Sequence, residues 1–427
     1  MKIILFSIGT RGDMEPFLAI AQILKQRNYN VICVFPEQFR NVVEQAGLAF
    51  EGFGKHFLDL LESMEGKKLM GAQGSFFSRI KTIMKISKAM MKIHRELIEA
   101  QYEIIVREKP DRVLYHSKCL YPVVWGMANP GKAILVSPLP CILHETRHRS
   151  VLGIKGNANL GPALNRFSYW LANTVRSFVI HKQTKSYQKE LDGVKFSPIR
   201  IKKALLHDTK TFYTFSPSLF PKPDYWPPQA EVVGFYEFEK ATDWQPGTAL
   251  TGFINRYKKI VFITFGSMSN AKPAEKTSII IEVLRKHKIP AIINTSWGGL
   301  IAPPHYPDHV HFVENIPYDW VFQKMYAVVH HGGSGTTHTA LKYGCPSLIT
   351  PHIVDQYFWN SLISQLRLGP KGSPINKLNE RNFESQLLDL LNNTVYKANA
   401  ISMAELMNME TDKEVLFKKV VAENNIE

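Results

Sequence analysis

Short apolar runs alternate with longer segments whose apolar residues recur every three or four positions. Residues 2–9 (KIILFSIG) form a continuous apolar run, 16–28 (PFLAIAQILKQRN) have helical spacing with Pro16 at the start, and 30–36 (NVICVFP) are apolar again. Strand, helix and strand in that order make a βαβ unit, which implies a parallel sheet with helices on its faces. Residues 111–117 and 132–138 read as later strands of the same sheet. Residues 236–256 are broken by Pro, Gly and Thr and read as a linker. After them the alternation restarts, with strands at 259–267, 290–296, 309–316 and 326–331 and a helix at 273–287. The expected fold class is α/β, with two doubly wound Rossmann-like domains in tandem. Ligands bind such sheets beyond the carboxyl ends of the strands, so two facing domains would place a site in the cleft between them. The expected boundaries are a first domain at 1–235, the linker at 236–256 and a second domain at 257–402. A C-terminal helix within 403–427 is expected to pack back on the first domain.

Two further segments, 75–108 and 163–191, have helical spacing and mix apolar, aromatic or Met residues with lysine and arginine. Each reads as a helix packed on its domain or as a surface that touches lipid or a lipophilic molecule. Composition supports the second reading only weakly. Lys plus Arg number 52 against 37 Asp plus Glu, a formal net charge of +15, which suits an anionic ligand, an anionic membrane or nucleic acid without choosing among them. Nucleic-acid binding would rest on that charge alone and is not expected. Cys33, Cys119, Cys141 and Cys345 are too scattered for a disulfide or zinc framework. The first apolar run is too short for a secretory leader, and no window reaches 18 consecutive apolar residues. The expected location is cytoplasmic, with peripheral contact at the inner face of an anionic membrane.

The densest chemistry lies at 330–344, HHGGSGTTHTALKYG, between a short apolar run and a helical segment. Glycines let backbone amides approach a phosphate, and a helix start adds unpaired amides and partial positive charge. Ser334 lies in the loop, while Thr336 and Thr337 supply hydroxyls to a helix read from Thr336 to Lys342. Neither the GxGxxG fingerprint nor the GK[ST] ending of a P-loop is present. Spacing alone therefore gives an anion at a helix start, or a tight turn that binds nothing.

The longer stretch 330–360, HHGGSGTTHTALKYGCPSLITPHIVDQYFWN, resembles the donor-binding motif of family 1 glycosyltransferases, which use nucleotide sugars on the GT-B fold. The similarity is greatest to the branch with sterol, macrolide and glycopeptide glucosyltransferases. GTRGDMEPFLAIA (9–21) resembles the acceptor loop of that branch, and NIPYDWVF (315–322) and SWGGL (296–300) also fit. The resemblance implies that His331, Gly333, Ser334, Gly335 and Thr336 meet the diphosphate, while Asp355 and Gln356 hold hydroxyls of the donor sugar. It adds Gly266 and Ser267 of FGSM (265–268), Trp297 and Ile316 to the donor site. A carboxylate accepts from two sugar hydroxyls, whereas an amide both donates and accepts. Thr339 and Asn315 stand where plant members carry a ribose-binding glutamate and an aromatic residue, which leaves uridine and thymidine both open.

The same resemblance implies that Asp13, in TRGDMEP, is the general base that takes the acceptor's proton. Aspartate also favours helix starts, so a purely capping role is the competing reading. His116 falls where the resemblance places the aspartate that orients the histidine of plant members, so it is read either as pairing with Asp13 across two strand ends or as a core or cleft histidine with no role in the chemistry. The implied reaction is displacement at the anomeric carbon with inversion, from a UDP- or TDP-sugar, glucose being expected, to a hydroxyl of a lipophilic sterol, terpenoid, carotenoid or polyphenol. No resident cofactor or metal is required. The other readings are a GT-B nucleotide-sugar epimerase and a non-catalytic lipid- or membrane-binding scaffold. HETRH (144–148) is a literal HExxH, but its neighbours Pro138, Pro140 and a glycine-rich tail speak against the stable helix that zinc binding needs.

Overall fold

In β1 (Lys2–Phe6), Ile3 and Leu5 join one hydrophobic cluster while Ile4 and Phe6 join another. Both faces of the strand are buried, so it reads as an unbroken apolar run with no polar side. The structure, a computed structural model, describes residues 1–53, 93–152, 154, 158–191, 193–239, 244–268, 270, 272–296 and 298–422. The expected helix at 75–108 is thus described only in part, and Trp297 lies outside the described residues.

After β1 come α1 (Arg11–Lys25), β2 (Asn30–Phe35), α2 (Arg40–Gln45) and β3 (Ala49–Gly52). A helix over 93–108 (α3) leads into β4 (Arg112–His116), α4 (Tyr121–Ala128), β5 (Ala133–Ser137), α5 (Pro162–Thr184) and α6 (Pro198–Lys203). β6 (Lys210–Tyr213) and β7 (Ala230–Val232) complete a parallel sheet of order β3-β2-β1-β4-β5-β6-β7 among the described residues. The order reverses direction between β1 and β4, the kind of switch point beyond which doubly wound sheets bind ligands.

A second parallel sheet follows α7 (Thr248–Arg256). It comprises β8 (Val261–Thr264), α8 (Pro273–His287), β9 (Ala291–Asn294), β10 (Val310–Val313), α9 (Tyr318–Phe322), β11 (Ala327–His330), α10 (Ser334–Lys342) and β12 (Ser347–Ile349). Its order is β10-β9-β8-β11-β12, with the switch point between β8 and β11. In β8, Val261 and Ile263 enter one core cluster, and Phe262, with Ile260 just before the strand, enters the other. α11 (Gln356–Gln365), α12 (Glu380–Asn392) and α13 (Thr394–Met409) finish this unit. α14 (Lys413–Val421) then packs Leu416 and Val420 into the first unit's core. Buried Arg112 of β4 donates to the carbonyls of Val420 and Ala422 at the end of α14, where a cation meets the negative end of the helix.

The chain divides into a unit of Met1–Ile154, Ala158–Ala241 and Thr411–Glu427 and a unit of Thr242–Glu410. Several boundaries differ from those read off the sequence. Tyr236 and Phe238 are buried in the first core, while Leu250 and Phe253 of α7 are buried in the second. The described part of 236–256 is therefore anchored in a core at each end and is not a free linker throughout. Likewise the stretch 403–427 holds the end of α13, which belongs to the second unit, as well as α14. α1 begins at Arg11, five residues before Pro16, because Asp13 reaches back to the Thr10 amide and starts the helix there. α10 begins at Ser334 rather than Thr336, with Gly333 as its cap. Among the described residues no helix is long and apolar enough to cross a membrane.

Phe262 is fully buried in the second unit. Phe262→Ala is expected to cost that unit about 3–5 kcal/mol. The check is a lowered urea midpoint for its unfolding transition with that of the first unit unmoved.

Candidate functional site

At the switch point of the first sheet, β1 runs into a turn at 7–10 and then α1. Asp13 sits in the first turn of α1, and His116 ends the neighbouring strand β4. The carboxylate divides its work between its two oxygens. Oδ2 accepts from the Thr10 backbone amide at 2.8 Å, closing the helix start. Oδ1 accepts from Lys118 Nζ at 3.1 Å and lies 3.2 Å from His116 Nε2. That last approach falls off the line of a hydrogen bond, and Nε2 is otherwise buried without a partner. Nδ1 of His116 accepts from the Lys118 amide at 3.3 Å, so the proton belongs on Nε2, facing Asp13.

Gly9 makes this contact possible. Its φ is +140°, and a Cβ there would overlap Asp13 Oδ2 and lie 2.7 Å from Lys118 Nζ. Burial by itself raises the Asp13 pKa, but Lys118 and His116 together outweigh it and hold the carboxyl well below its ordinary range. Burial lowers the His116 pKa against the opposing pull of Asp13, so the imidazole is neutral at pH 7. The cluster is a fixed carboxylate with one ammonium bonded to one of its oxygens and a neutral imidazole nitrogen beside the same oxygen. The sequence reading brought Asp13 and His116 forward and missed Lys118. The signal for it was a cation immediately past the end of an expected strand.

The switch point of the second sheet repeats the plan with other residues. Gly266 follows β8 with φ +55°, and His331 follows β11. A Cβ on Gly266 would lie 2.8 Å from His331 Cε1, and one on Gly333 would lie 2.5 Å from His331 Nε2. Two bare glycines therefore flank the ring. His331 is buried and its Nδ1 has no partner. Burial pushes its pKa well down, with His330 and His352 adding to the effect, so the ring is neutral. It is therefore no standing cation. His330 accepts the Gly332 amide on Nδ1 at 3.1 Å, and burial lowers its pKa to about 3.

Gly333, Ser334, Gly335 and Thr336 are all half-buried at the head of α10, where the first amides lack intrahelical acceptors. A Cβ on Gly335 would meet nothing within 4 Å. Partial positive charge, an unpartnered buried imidazole nitrogen and open backbone make an anion cradle. Asp355 caps α11, and Gln356 begins it. Gln356 Oε1 already accepts the amides of His352 at 2.7 Å and Ile353 at 3.0 Å. The amide expected both to donate and to accept is thus left with Nε2 as its donor. Between these residues Val354 is exposed with φ +31°, a costly conformation for a β-branched side chain that is often kept at binding loops. Ser267 is half-buried beside Gly266, whose amide is pinned to Thr264 Oγ1 at 3.1 Å. Ile316 has its side chain inside the core with Phe262 and Val328, so only its backbone is available to a ligand.

HETRH is not helical. His144 uses Nδ1 on the Tyr213 hydroxyl at 2.8 Å and Nε2 on the Leu206 carbonyl at 3.2 Å. Both nitrogens are occupied by structure, so this histidine is a core residue.

Two doubly wound parallel units in tandem, each with its chemistry at the switch point, define the GT-B class. Solved structures share the fold. A glycotransferase of kitacinnamycin superposes with a TM-score of 0.71 over 98% of this chain and 97% of that one, at 13% identity. The glycosyltransferase VinC, solved with dTDP, gives 0.66 over 99% and 98%, at 15% identity. Residues 3–108 match the glycosyltransferase family 28 N-terminal domain, and residues 292–422 match the C-terminal domain of erythromycin biosynthesis protein CIII-like proteins. The chain has the GT-B fold, and its N-terminal part matches a glycosyltransferase family model. A sterol 3-beta-glucosyltransferase of Arabidopsis thaliana is 29% identical over 417 residues, 96% of this chain and 66% of the plant enzyme. The chain therefore spans just under two thirds of that relative's length.

Because folding lowers the Asp13 pKa, the contribution of its carboxylate to stability is whole above the unfolded value of about 3.9. It is lost as pH falls below that value toward the folded one. The stability gap between wild type and Asp13→Asn is expected to stay flat down to about pH 5 and to narrow below about pH 4, read from urea midpoints.

Proposed function

We propose that the protein is an inverting glycosyltransferase that moves a sugar from a nucleoside diphosphate sugar to a hydroxyl of a lipophilic small molecule. UDP-glucose is the first donor to test and TDP-glucose the second, with a sterol or a similarly flat apolar alcohol as acceptor. The observation that carries this reading is the buried, partnerless Nδ1 of His331, held between two glycines beside the open head of α10. The sterol glucosyltransferase relatives support the acceptor class, and the dTDP complex of VinC supports a nucleoside diphosphate donor.

In this reading the acceptor oxygen attacks the anomeric carbon as the bond from that carbon to the phosphate oxygen breaks. The acceptor's proton passes to Asp13 Oδ1, and the electron pair of the broken bond leaves with the nucleoside diphosphate. Asp13 is held as a carboxylate at neutral pH by Lys118 and His116, ready to accept but weakly basic. It acts as the new bond forms and not before it, in the range of assistance worth about 10²–10⁴-fold. Charge on the departing diphosphate meets the α10 amides and the His331 N–H. Asp355 and the Nε2 donor of Gln356 hold sugar hydroxyls, and Gly266 and Ser267 border the phosphates. As drawn, the reaction uses no resident metal.

UDP, UDP-glucose and TDP are to be titrated calorimetrically into the full chain. Binding of at least one, weakened by His331→Ala, is the expected result, and no binding by a folded sample ends the proposal. With a bound donor and a panel of sterols and polyphenols, Asp13→Asn is expected to lower kcat by about 10²–10⁴-fold while donor affinity is kept. Unchanged turnover in that variant removes Asp13 from the chemistry.

A further inference from the structure

Helix α5 is built inside out. Its inward side chains include Asn165, Ser168, Asn173, Ser177 and Thr184, all buried. They are satisfied locally: Asn165 Nδ2 donates to Arg147 O at 3.0 Å, Asn173 Nδ2 donates to Leu143 O at 2.8 Å, and Ser168 Oγ accepts from Val151 N at 2.9 Å. The outward face carries Leu164, Phe167, Trp170, Leu171, Val175 and Phe178, each 47–59% exposed. At 100° per residue these six fall within one continuous stripe. The neighbouring helix α6 extends it with Ile199, 82% exposed. A soluble helix ordinarily turns its apolar residues inward, and an exposed patch of this size marks a surface that meets something apolar.

The charges around the stripe say what that something is. From residue 146 to residue 189 the chain carries eight Lys and Arg residues and no Asp or Glu. Lys182 lies exposed at the far end of α5, and Arg200, Lys202 and Lys203 of α6 flank the near edge. Lys202 Nζ sits 4.8 Å over the Trp170 ring and donates to Thr174 Oγ1 at 2.8 Å. A notch of about 430 Å³ between the two helices joins Trp170, Phe178 and Ile199 to Lys202 and Lys203. Trp and Phe set among an excess of cations, with Glu145 paired to Arg166 at 3.3 Å, match the acyl boundary and anionic headgroups of a lipid bilayer.

We propose that the outward faces of α5 and α6 form a docking surface for an anionic phospholipid bilayer, with Phe167, Trp170, Leu171 and Phe178 entering the interface and Lys182, Lys202 and Lys203 meeting headgroup phosphates. The surface uses none of the residues assigned to the transfer reaction, and the inference stands whether or not the protein transfers a sugar. It gives a dissolved enzyme access to molecules that partition into membranes.

The test is flotation of the full chain with vesicles of phosphatidylcholine alone and of phosphatidylcholine with phosphatidylglycerol. Wild type is expected to float with the anionic vesicles and to be released by salt. Trp170→Ser/Phe178→Ser and, separately, Lys202→Glu/Lys203→Glu are expected to lose at least about tenfold in vesicle affinity. Both variants alter exposed or half-exposed side chains, so their melting temperatures should match wild type. If the double serine variant does not fold, Leu171→Glu supplies the same readout. Wild type that ignores anionic vesicles, or variants that float as wild type does, overturns the proposal. So does a wild-type dimer in lipid-free solution that the serine variant dissolves while vesicle binding persists, because the stripe is then an interface between copies. Activity on a water-soluble acceptor should be the same in all variants, which keeps this outcome separate from that of the transfer reaction.

Discussion

A parallel sheet cannot be closed by hairpins. Each strand must be followed by a crossover, and crossovers keep one hand. A chain that builds outward from one strand and then returns to build on its other side must send its helices to opposite faces of the sheet. The ends of the two central strands then stand side by side with no helix over the gap. This happens twice here, at β1/β4 and at β8/β11. Both gaps received a glycine with positive φ after the first strand and a histidine at or just past the end of the other, Gly9 with His116 and Gly266 with His331. The packing rule fixed where chemistry could go, and the side chains then differentiated the two gaps.

The difference is one of charge. The first gap holds an ionised aspartate because an ammonium and an imidazole N–H compensate a desolvation that would otherwise neutralise it. The second gap holds histidines that burial keeps neutral, with positive potential supplied by backbone at a helix start. In the proposed reading one gap receives a proton and the other an anion. Neutral histidines suit the second task, since a permanent cation there would be costly to bury with the gap empty.

Legibility in the sequence followed the physics of each element. β1, β8 and β11 were readable because burial on both faces leaves unbroken apolar runs, and α8 was readable to the residue from its proline start and helical spacing. The start of α1 was misplaced because Pro16 is a louder signal than the backward reach of Asp13 to Thr10. Residues 248–256 read as linker because Pro246, Gly247 and two threonines precede or enter a helix whose buried Leu250 and Phe253 are only two anchors. Around the site, the glycine turn announced itself, but Lys118 did not. Its role depends on a carboxylate 105 residues away, and no local pattern encodes such a distance. The polarity of α5 was also hidden. Spacing shows that a helix has two faces, and only tertiary hydrogen bonds decide that the polar face turns inward.

The return of α14 to the first unit has a consequence for biosynthesis. Leu416 and Val420 complete a core whose other members, such as Ile3, Phe17 and Val136, leave the ribosome some 280 residues or more earlier. All of the second unit emerges in between. The first unit to be synthesised is therefore the last to have its full complement of core residues, and the second can finish folding while its predecessor still waits. Ribosome-associated chaperones would meet the apolar ground on α1 and β2 for as long as translation of the second unit lasts, an interval set by elongation at about 5–20 residues per second.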